Sequence, residues 1–283
     1  VKPGTVFYKM TGSGNDFVLL DGRYADLKDV SPELVIAICS RRTGVGADGV
    51  ILLDPDCPRG VHFTFHFWNS DGSPGPMCGN GALCATRLAS LIELAPSSNE
   101  VRFSTPAGIH RGRVVGDVPE LFLPDCPPPQ RVPDVRNAPG ERFPTLAVPS
   151  VPHLVLVVDD VAAVDLDSRG PALRSDPALG PGGANVNWVA LNKDGTLSMR
   201  TYERGVEGET MACGTGAVAC ALTLEELGHV KAPVRVWTRT GLPLDISWIV
   251  GPRAVTSISL RGEARMVFRG IIGDILSNAQ TRD

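Results

Sequence analysis

Two cysteines recur in matching settings along this 283-residue chain. Met77-Cys78-Gly79-Asn80-Gly81-Ala82 returns as Ala212-Cys213-Gly214-Thr215-Gly216-Ala217, an offset of 213 − 78 = 135 residues, close to half the length. An apolar run follows each copy, at 83–88 and 218–222, so each Cys-Gly pair reads as the opening of a helix. A helix N-terminus leaves backbone N–H groups unpaired and carries partial positive charge. A cysteine placed there has its thiolate favoured, and its pKa is expected below the ordinary thiol value. The glycines permit close approach to the backbone, and the N–H groups suit a carboxylate or phosphate.

One such thiol would suggest a nucleophile. Two, at equivalent places in two related halves, suggest a pair facing each other across a pseudo-twofold cleft. A carbon acid held between them loses a proton to one thiolate and regains one from the opposite thiol, which inverts the centre. No metal and no pyridoxal is needed, because both helix termini stabilise the carboxylate and the charge that develops beside it. Other readings stay open at this point. Cys213 with His153 could form a cysteine hydrolase, which leaves the Cys78 copy unexplained. A binding module without catalysis would hold a ligand and exchange no α-hydrogen. A disulfide between Cys78 and Cys213 would make the pair structural or an oxidised, inactive form. Zinc is disfavoured, since Cys78/Cys84 and Cys213/Cys220 do not have ligand spacing. Thr11-Gly-Ser-Gly-Asn15 is a weak dinucleotide signal, because a strand-like Phe17-Val-Leu-Leu follows it instead of a helix. Cys39, Cys57, Cys84, Cys126 and Cys220 read as small buried hydrophobes.

The elements that must position these residues are mostly short strands, expected at 6–10, 17–21, 49–53, 61–68, 101–105 and 109–115. In the second half they are expected at 153–158, 185–191, 197–203, 234–240, 244–250 and 256–260. Val61-His-Phe-Thr-Phe-His-Phe67 alternates in the manner of a half-buried strand. Ser31-Pro32-Glu33 is an N-cap, a first-turn proline and a first-turn acid, and opens a helix to about Arg41. Two further helices are expected at 80–94 and 215–227, the latter stopped by Gly228. Pro124-Asp-Cys-Pro-Pro-Pro-Gln-Arg-Val-Pro133 holds five prolines in ten residues and marks a boundary between halves. His62, His66, His110 and His229 read as structural.

Apolar residues are 43% of the chain and charged residues 20%, which excludes a disordered polymer. A net charge of −4 is too balanced for a dedicated nucleic-acid binder. The longest aliphatic run, Leu154-Val-Leu-Val-Val158, is strand-sized, so no membrane span is expected. The first residues carry no signal-peptide core. Seven cysteines with no paired C-x-x-C spacing fit a reducing, cytoplasmic setting.

A series of segments, in order, resembles the diaminopimelate epimerase family over nearly the whole chain. They are Lys9-Met-Thr-Gly-Ser-Gly-Asn15-Asp-Phe17, Gly44-Val-Gly-Ala-Asp-Gly49, Asn69-Ser-Asp-Gly72 and Met77-Cys78-Gly-Asn80-Gly-Ala82. The series continues with Pro152-His153, Gly183-Ala-Asn185-Val-Asn187, Glu203-Arg204-Gly205 and Gly208-Glu-Thr-Met-Ala-Cys213-Gly-Thr215-Gly216. The resemblance implies a pyridoxal-independent epimerase that interconverts LL- and meso-2,6-diaminoheptanedioate on the way to lysine. It implies an α/β (α+β) fold of two pseudo-symmetric domains, each of mostly antiparallel strands around a central helix, with the active site in the interdomain cleft. The expected domains are 1–124 with 263–283, and 125–262. A homodimer acting on a small amino acid is expected, with no cofactor and no metal.

By the same resemblance Cys78 and Cys213 are the catalytic pair, and Asn15, Asn69, Asn185, Glu203 and Arg204 contact substrate. Gly79-Asn80 and Gly214-Thr215 hold the reacting carboxylate. Arg204 suits a bidentate grip on a carboxylate. Asparagines offer both donors and acceptors to ammonium and carboxylate groups. Glu203 pairs with the ammonium or positions a thiol proton, with His153 as a second candidate for that task. Three departures stand out. Val151 replaces an asparagine frequent before Pro-His, Gly49 replaces a glutamine found in some members, and the 203–209 segment is one residue longer than usual. A proline or hydroxyproline epimerase of the same architecture is the nearest alternative. A phenazine-biosynthesis-type isomerase shares the architecture but lacks this cysteine pair.

Overall fold

The computed structural model describes residues 2–95 and 100–275. The chain divides into two compact units, Val1–Leu121 with Glu263–Asp283, and Phe122–Gly262. Of the returning segment 263–283, residues 276–283 lie outside the described residues. Both units are α+β, and the same order of pairing builds each.

In the first unit Val6–Gly12 pairs antiparallel with Asn15–Asp21, which runs parallel to Gly49–Asp54. Gly49–Asp54 is antiparallel to Phe63–Asn69, which meets Val101–Thr105 in parallel, and Gly108–Val115 closes the series antiparallel. Ala264–Ile271 joins the free side of Val6–Gly12, with Val6 opposite Ile271. The second unit repeats the order. Arg142–Ala147 is antiparallel to His153–Val157, which is parallel to Asn185–Leu191. Then come Leu197–Glu203 antiparallel, Val234–Trp237 parallel and Pro243–Val250 antiparallel. The helices match as well: α1 (Pro32–Cys39) and α2 (Gly79–Leu91) correspond to α3 (Leu166–Arg174) and α4 (Gly214–Glu226). The cysteine repeat is therefore one part of a duplicated unit, with α4 starting 214 − 79 = 135 residues after α2.

The burial pattern explains the local structure. Val18, Leu19, Leu20, Val50, Ile51, Leu52 and Leu53 are all buried, so these two strands are apolar on both faces. One face packs on α2 with Leu83, Cys84 and Leu88; the other packs on α1 with Leu34, Val35 and Ile38. The second unit repeats this, with Ala217–Leu222 and Leu224 of α4 in one core and Leu166 and Leu173 of α3 in the other. Because strands surround α2 and α4, their side chains are small and apolar nearly all round. Gly12 shows the tightness: a Cβ there would lie 2.7 Å from Cys84 Sγ and 2.9 Å from the Asn80 carbonyl oxygen.

Several expectations are adjusted by the structure. α1 ends at Cys39 and α2 at Leu91, the latter because Glu93 adopts a left-handed φ of 57° that stops the helix. The strand expected from 61 begins at Phe63. Helix α3 is another element that the patterning does not announce; its Gly170 lies where a Cβ would strike the Tyr202 ring at 2.2 Å. Val118–Phe122, Arg142–Ala147 and Ala264–Ile271 are strands that the patterning did not announce.

Candidate active site

Cys78 and Cys213 are the N-cap residues of α2 and α4, both with extended backbone, φ −131° and −130°. Neither side chain makes a capping bond, and neither first turn carries an acidic residue. The positive helix ends are thus left uncompensated from within their own first turns, the condition that favours a thiolate and a bound anion. Gly216 keeps its helix tip compact, since a Cβ would lie 2.5 Å from Asn187 Oδ1 and 3.2 Å from Cys213 Sγ.

In the first unit, Asn80 Nδ2 donates to Asn15 Oδ1 at 2.7 Å, and Asn15 Nδ2 donates to Asp48 Oδ2 at 2.9 Å. That donor to a carboxylate fixes the Asn15 amide, and Asn15 in turn fixes Asn80. The Asn80 Oδ1 atom is then buried with no hydrogen-bond partner among the described residues, an acceptor available to a ligand donor. Behind this pair lies a charged network. Lys9 Nζ meets Asp16 at 2.6 Å, and Arg41 bridges Asp16 at 2.8 Å and Asp48 at 2.7 Å. Burial pushes the Asp16 carboxyl up, but the Arg41 and Lys9 hydrogen bonds outweigh it and hold it below the usual range. Asn69 stands outside this network and donates to Ser73 Oγ at 3.0 Å in its own turn. Gly49, opposite Asn69, has no room for a side chain: a Cβ would lie 2.5 Å from the Trp68 carbonyl oxygen and 2.7 Å from the Phe67 ring.

In the second unit, Thr215 Oγ1 lies 3.7 Å from Cys213 Sγ and 2.9 Å from His153 Nε2. The other ring nitrogen, Nδ1, is 3.1 Å from Asn187 Nδ2, while Asn187 Oδ1 accepts from Thr201 at 2.9 Å. His153 is wholly buried, and burial pushes its pKa down to about 3; Asn187 works against that shift and the Arg204 charge adds to it. Asn185 Oδ1 accepts from the Arg204 backbone N–H at 2.8 Å, and Arg204 Nη1 donates to the Gly182 carbonyl at 3.1 Å. Burial pushes the half-buried Glu203 carboxyl up, partly offset by the Thr210 hydroxyl. The longer 203–209 segment is a tight turn. Glu207 takes a left-handed φ of 54°, and its Oε1 receives Gly205 N–H and Arg174 Nε, each at 3.0 Å. Val151 is 36% exposed, an apolar side chain in the turn before His153.

The structure thus joins Asn15 to Asn80, and Asn185, His153, Thr215, Cys213 and Arg204 to one another. Sequence reasoning gave no site role to Asp48, Asp16, Lys9 and Arg41, or to Asn187 and Thr201. For Asn187 a signal existed: residues two apart on a strand share a face, so it lies beside Asn185. Asp48 stands within the Gly44–Gly49 motif, but nothing local says that its partner is Asn15. The remaining cysteines are held as thiols, with burial pushing up Cys39 (to about 11), Cys57, Cys84, Cys126 and Cys220.

The family model for diaminopimelate epimerase matches residues 7–119 and 147–267. The chain belongs to the diaminopimelate epimerase family. Its relatives include the diaminopimelate epimerase of Gemmatimonas aurantiaca, 41% identical over 95% of this chain and 99% of the relative. That of Aquifex aeolicus is 40% identical over 95% and 98%. Among solved structures, a hydroxyproline epimerase from Agrobacterium vitis superposes with a TM-score of 0.67 at 16% identity, covering 96% of this chain and 91% of that one. A phenazine biosynthesis protein of the PhzF family from Bacillus anthracis gives 0.70 at 10% identity, covering 95% and 98%. Family members are isomerases of the racemase and epimerase class, so this chain is one too. At these identities the structural neighbours speak for the two-domain fold alone. No helix among the described residues is long and apolar enough to cross a membrane.

Proposed function

We propose that this enzyme interconverts LL- and meso-2,6-diaminoheptanedioate, with Cys78 and Cys213 acting on opposite sides of one α-carbon. The observation that carries the reading is the duplicated unit, which presents each cysteine as the N-cap of a buried helix without an acidic first turn. In one direction a thiolate takes the α-proton and becomes a thiol, while the opposite thiol delivers its proton to the other face and becomes a thiolate. No electrons change hands, and the reverse reaction uses the same atoms. The carbanion's charge spreads into the carboxylate, which the N–H groups of Gly79-Asn80 and Gly214-Thr215 stabilise.

Asn15, Asn69, Asn185, Glu203 and Arg204 recognise the rest of the substrate. Arg204 supplies a planar fork for the distal carboxylate, and Glu203 with the asparagines accepts from ammonium. His153 works through Thr215 and not as a hydrolase base, a reading supported by its complete burial and the intervening hydroxyl. The thiol chemistry needs no cofactor. A cytoplasmic setting fits this reading, since the working thiols must stay reduced; the homodimer rests on the family resemblance alone.

The test is α-proton exchange. In heavy water, LL-diaminopimelate should acquire deuterium at the inverted carbon as the meso form appears. Turnover of proline or hydroxyproline, with none of diaminopimelate, would reverse the substrate assignment.

A further inference from the structure

The second helical residues of α2 and α4, Asn80 and Thr215, are engaged differently, and the difference lies in hydrogen-bond direction. Asn187 Nδ2 donates to the Leu154 carbonyl at 3.1 Å, and Asn187 Oδ1 accepts from Thr201, so the orientation of this amide is fixed. Its Nδ2 therefore donates to His153 Nδ1 as well, which makes Nδ1 an acceptor and puts the ring proton on Nε2. The Asn185 amino group, 3.5 Å from Nε2, is too distant to compete with the Thr215 oxygen at 2.9 Å. Nε2–H donates to Thr215 Oγ1, and the Thr215 hydroxyl proton is left to point at Cys213 Sγ, 3.7 Å away.

We propose that Cys213 is held ready as a base by its own unit, because the one-way chain Asn187→His153→Thr215 ends by donating a hydroxyl proton to its sulfur. A hydrogen bond to the charged form favours that form. Burial keeps His153 neutral down to about 3, so the ring stays an acceptor at Nδ1 across the working range. Titratable and charged groups that act on this chain include Cys220 further along α4, and Arg204, which follows Glu203 at the end of Leu197–Glu203. Cys220 is kept a thiol by burial, and burial also pushes the Glu203 carboxyl up. At the equivalent place in the first unit, Asn80 sends its donor away from its helix tip, to Asn15. Thr215, His153 and Asn187 are in this respect positioning residues for Cys213.

The base role rests on the proposed epimerase reading; the directed chain does not, and it is measured without substrate. The experiment is a pH titration by NMR of protein carrying 13Cβ-labelled cysteine, with the signals assigned from Cys213→Ala and Cys78→Ala. Thr215→Val should raise the Cys213 midpoint by about one pH unit, a roughly tenfold loss of thiolate below that midpoint. Thr215→Ser should keep the Cys213 midpoint near the original, and neither change should move Cys78. A Thr215→Val titration that overlays the unsubstituted one overturns the proposal. So does 15N NMR of the unsubstituted protein that puts the His153 proton on Nδ1, a measurement that needs no variant to fold. If the midpoint moves as expected while diaminopimelate shows no α-exchange, the epimerase reading fails and the directed chain stands.

Discussion

His153 gives a stability prediction with a definite sign. Its pKa is about 3 in the folded protein against an ordinary 6.5, so between those values the unfolded chain binds a proton that the native state refuses. Stability from this group is complete above about 6.5 and falls as the pH drops toward 3. Each pKa unit corresponds to about 1.36 kcal/mol, so lowering the pH from 7 to 5 should remove about 2 kcal/mol through this residue alone. His153→Gln keeps a donor for Thr215 Oγ1 but cannot titrate. Urea unfolding of both proteins at the two pH values isolates the effect, because carboxylates such as Asp16 and Glu203 titrate in both and cancel. Tryptophan fluorescence reads the right unit, since Trp188 is fully buried beside strand His153–Val157 and Trp237 and Trp248 lie in the same unit. The reasoning is refuted if the native protein loses no more stability between pH 7 and pH 5 than the glutamine variant.

Other consequences are equally open to measurement. Glu141 is buried and receives Trp188 Nε1 at 2.9 Å, Ala138 N–H at 2.6 Å and Arg169 at 2.7 Å, so Glu141→Ala leaves several orphaned donors. It should cost about 3 kcal/mol in urea unfolding, and a loss under about 1 kcal/mol would contradict that. Gly12→Ala drives a methyl group into Cys84 and the start of α2; about 1–3 kcal/mol of stability should go, with a slower α-exchange rate because the Cys78 helix tip shifts. Arg204→Lys keeps the charge and loses the planar fork, so KM for diaminopimelate should rise roughly tenfold or more while kcat changes less.

What the sequence discloses and what it hides follow from the range of the interactions involved. The cysteine repeat is legible because a helix start is a local event: Cys-Gly followed by small apolar residues needs only its neighbours to form. The apolar strands around Val18 and Val50 are legible for the same reason. The matching pairing order in the two units is not, since Ala264–Ile271 finds Val6–Gly12 across most of the chain. Helix α3 is not legible either: Gly170 and Pro171 are poor helix formers, and burial of Leu166 and Leu173 in the core overrides that local cost. At the site, Asn15 and Asn80 are nameable one by one, but that Asp48 orients both is a fact of tertiary structure. Likewise His153 is legible as a candidate, whereas its neutrality and the direction of its hydrogen bonds depend on burial and on Asn187, 34 residues away.

The most direct trial of the two-thiol mechanism uses LL-diaminopimelate in heavy water with the native enzyme, Cys78→Ala and Cys213→Ala, followed by proton NMR. The native enzyme should form the meso isomer with deuterium at the inverted carbon. Each alanine variant should lose epimerisation by a factor of at least about a hundred while still folding, as expected when a positioned acid or base is removed. Inversion at the native rate by either variant would contradict a mechanism in which one sulfur removes the proton and the other returns it.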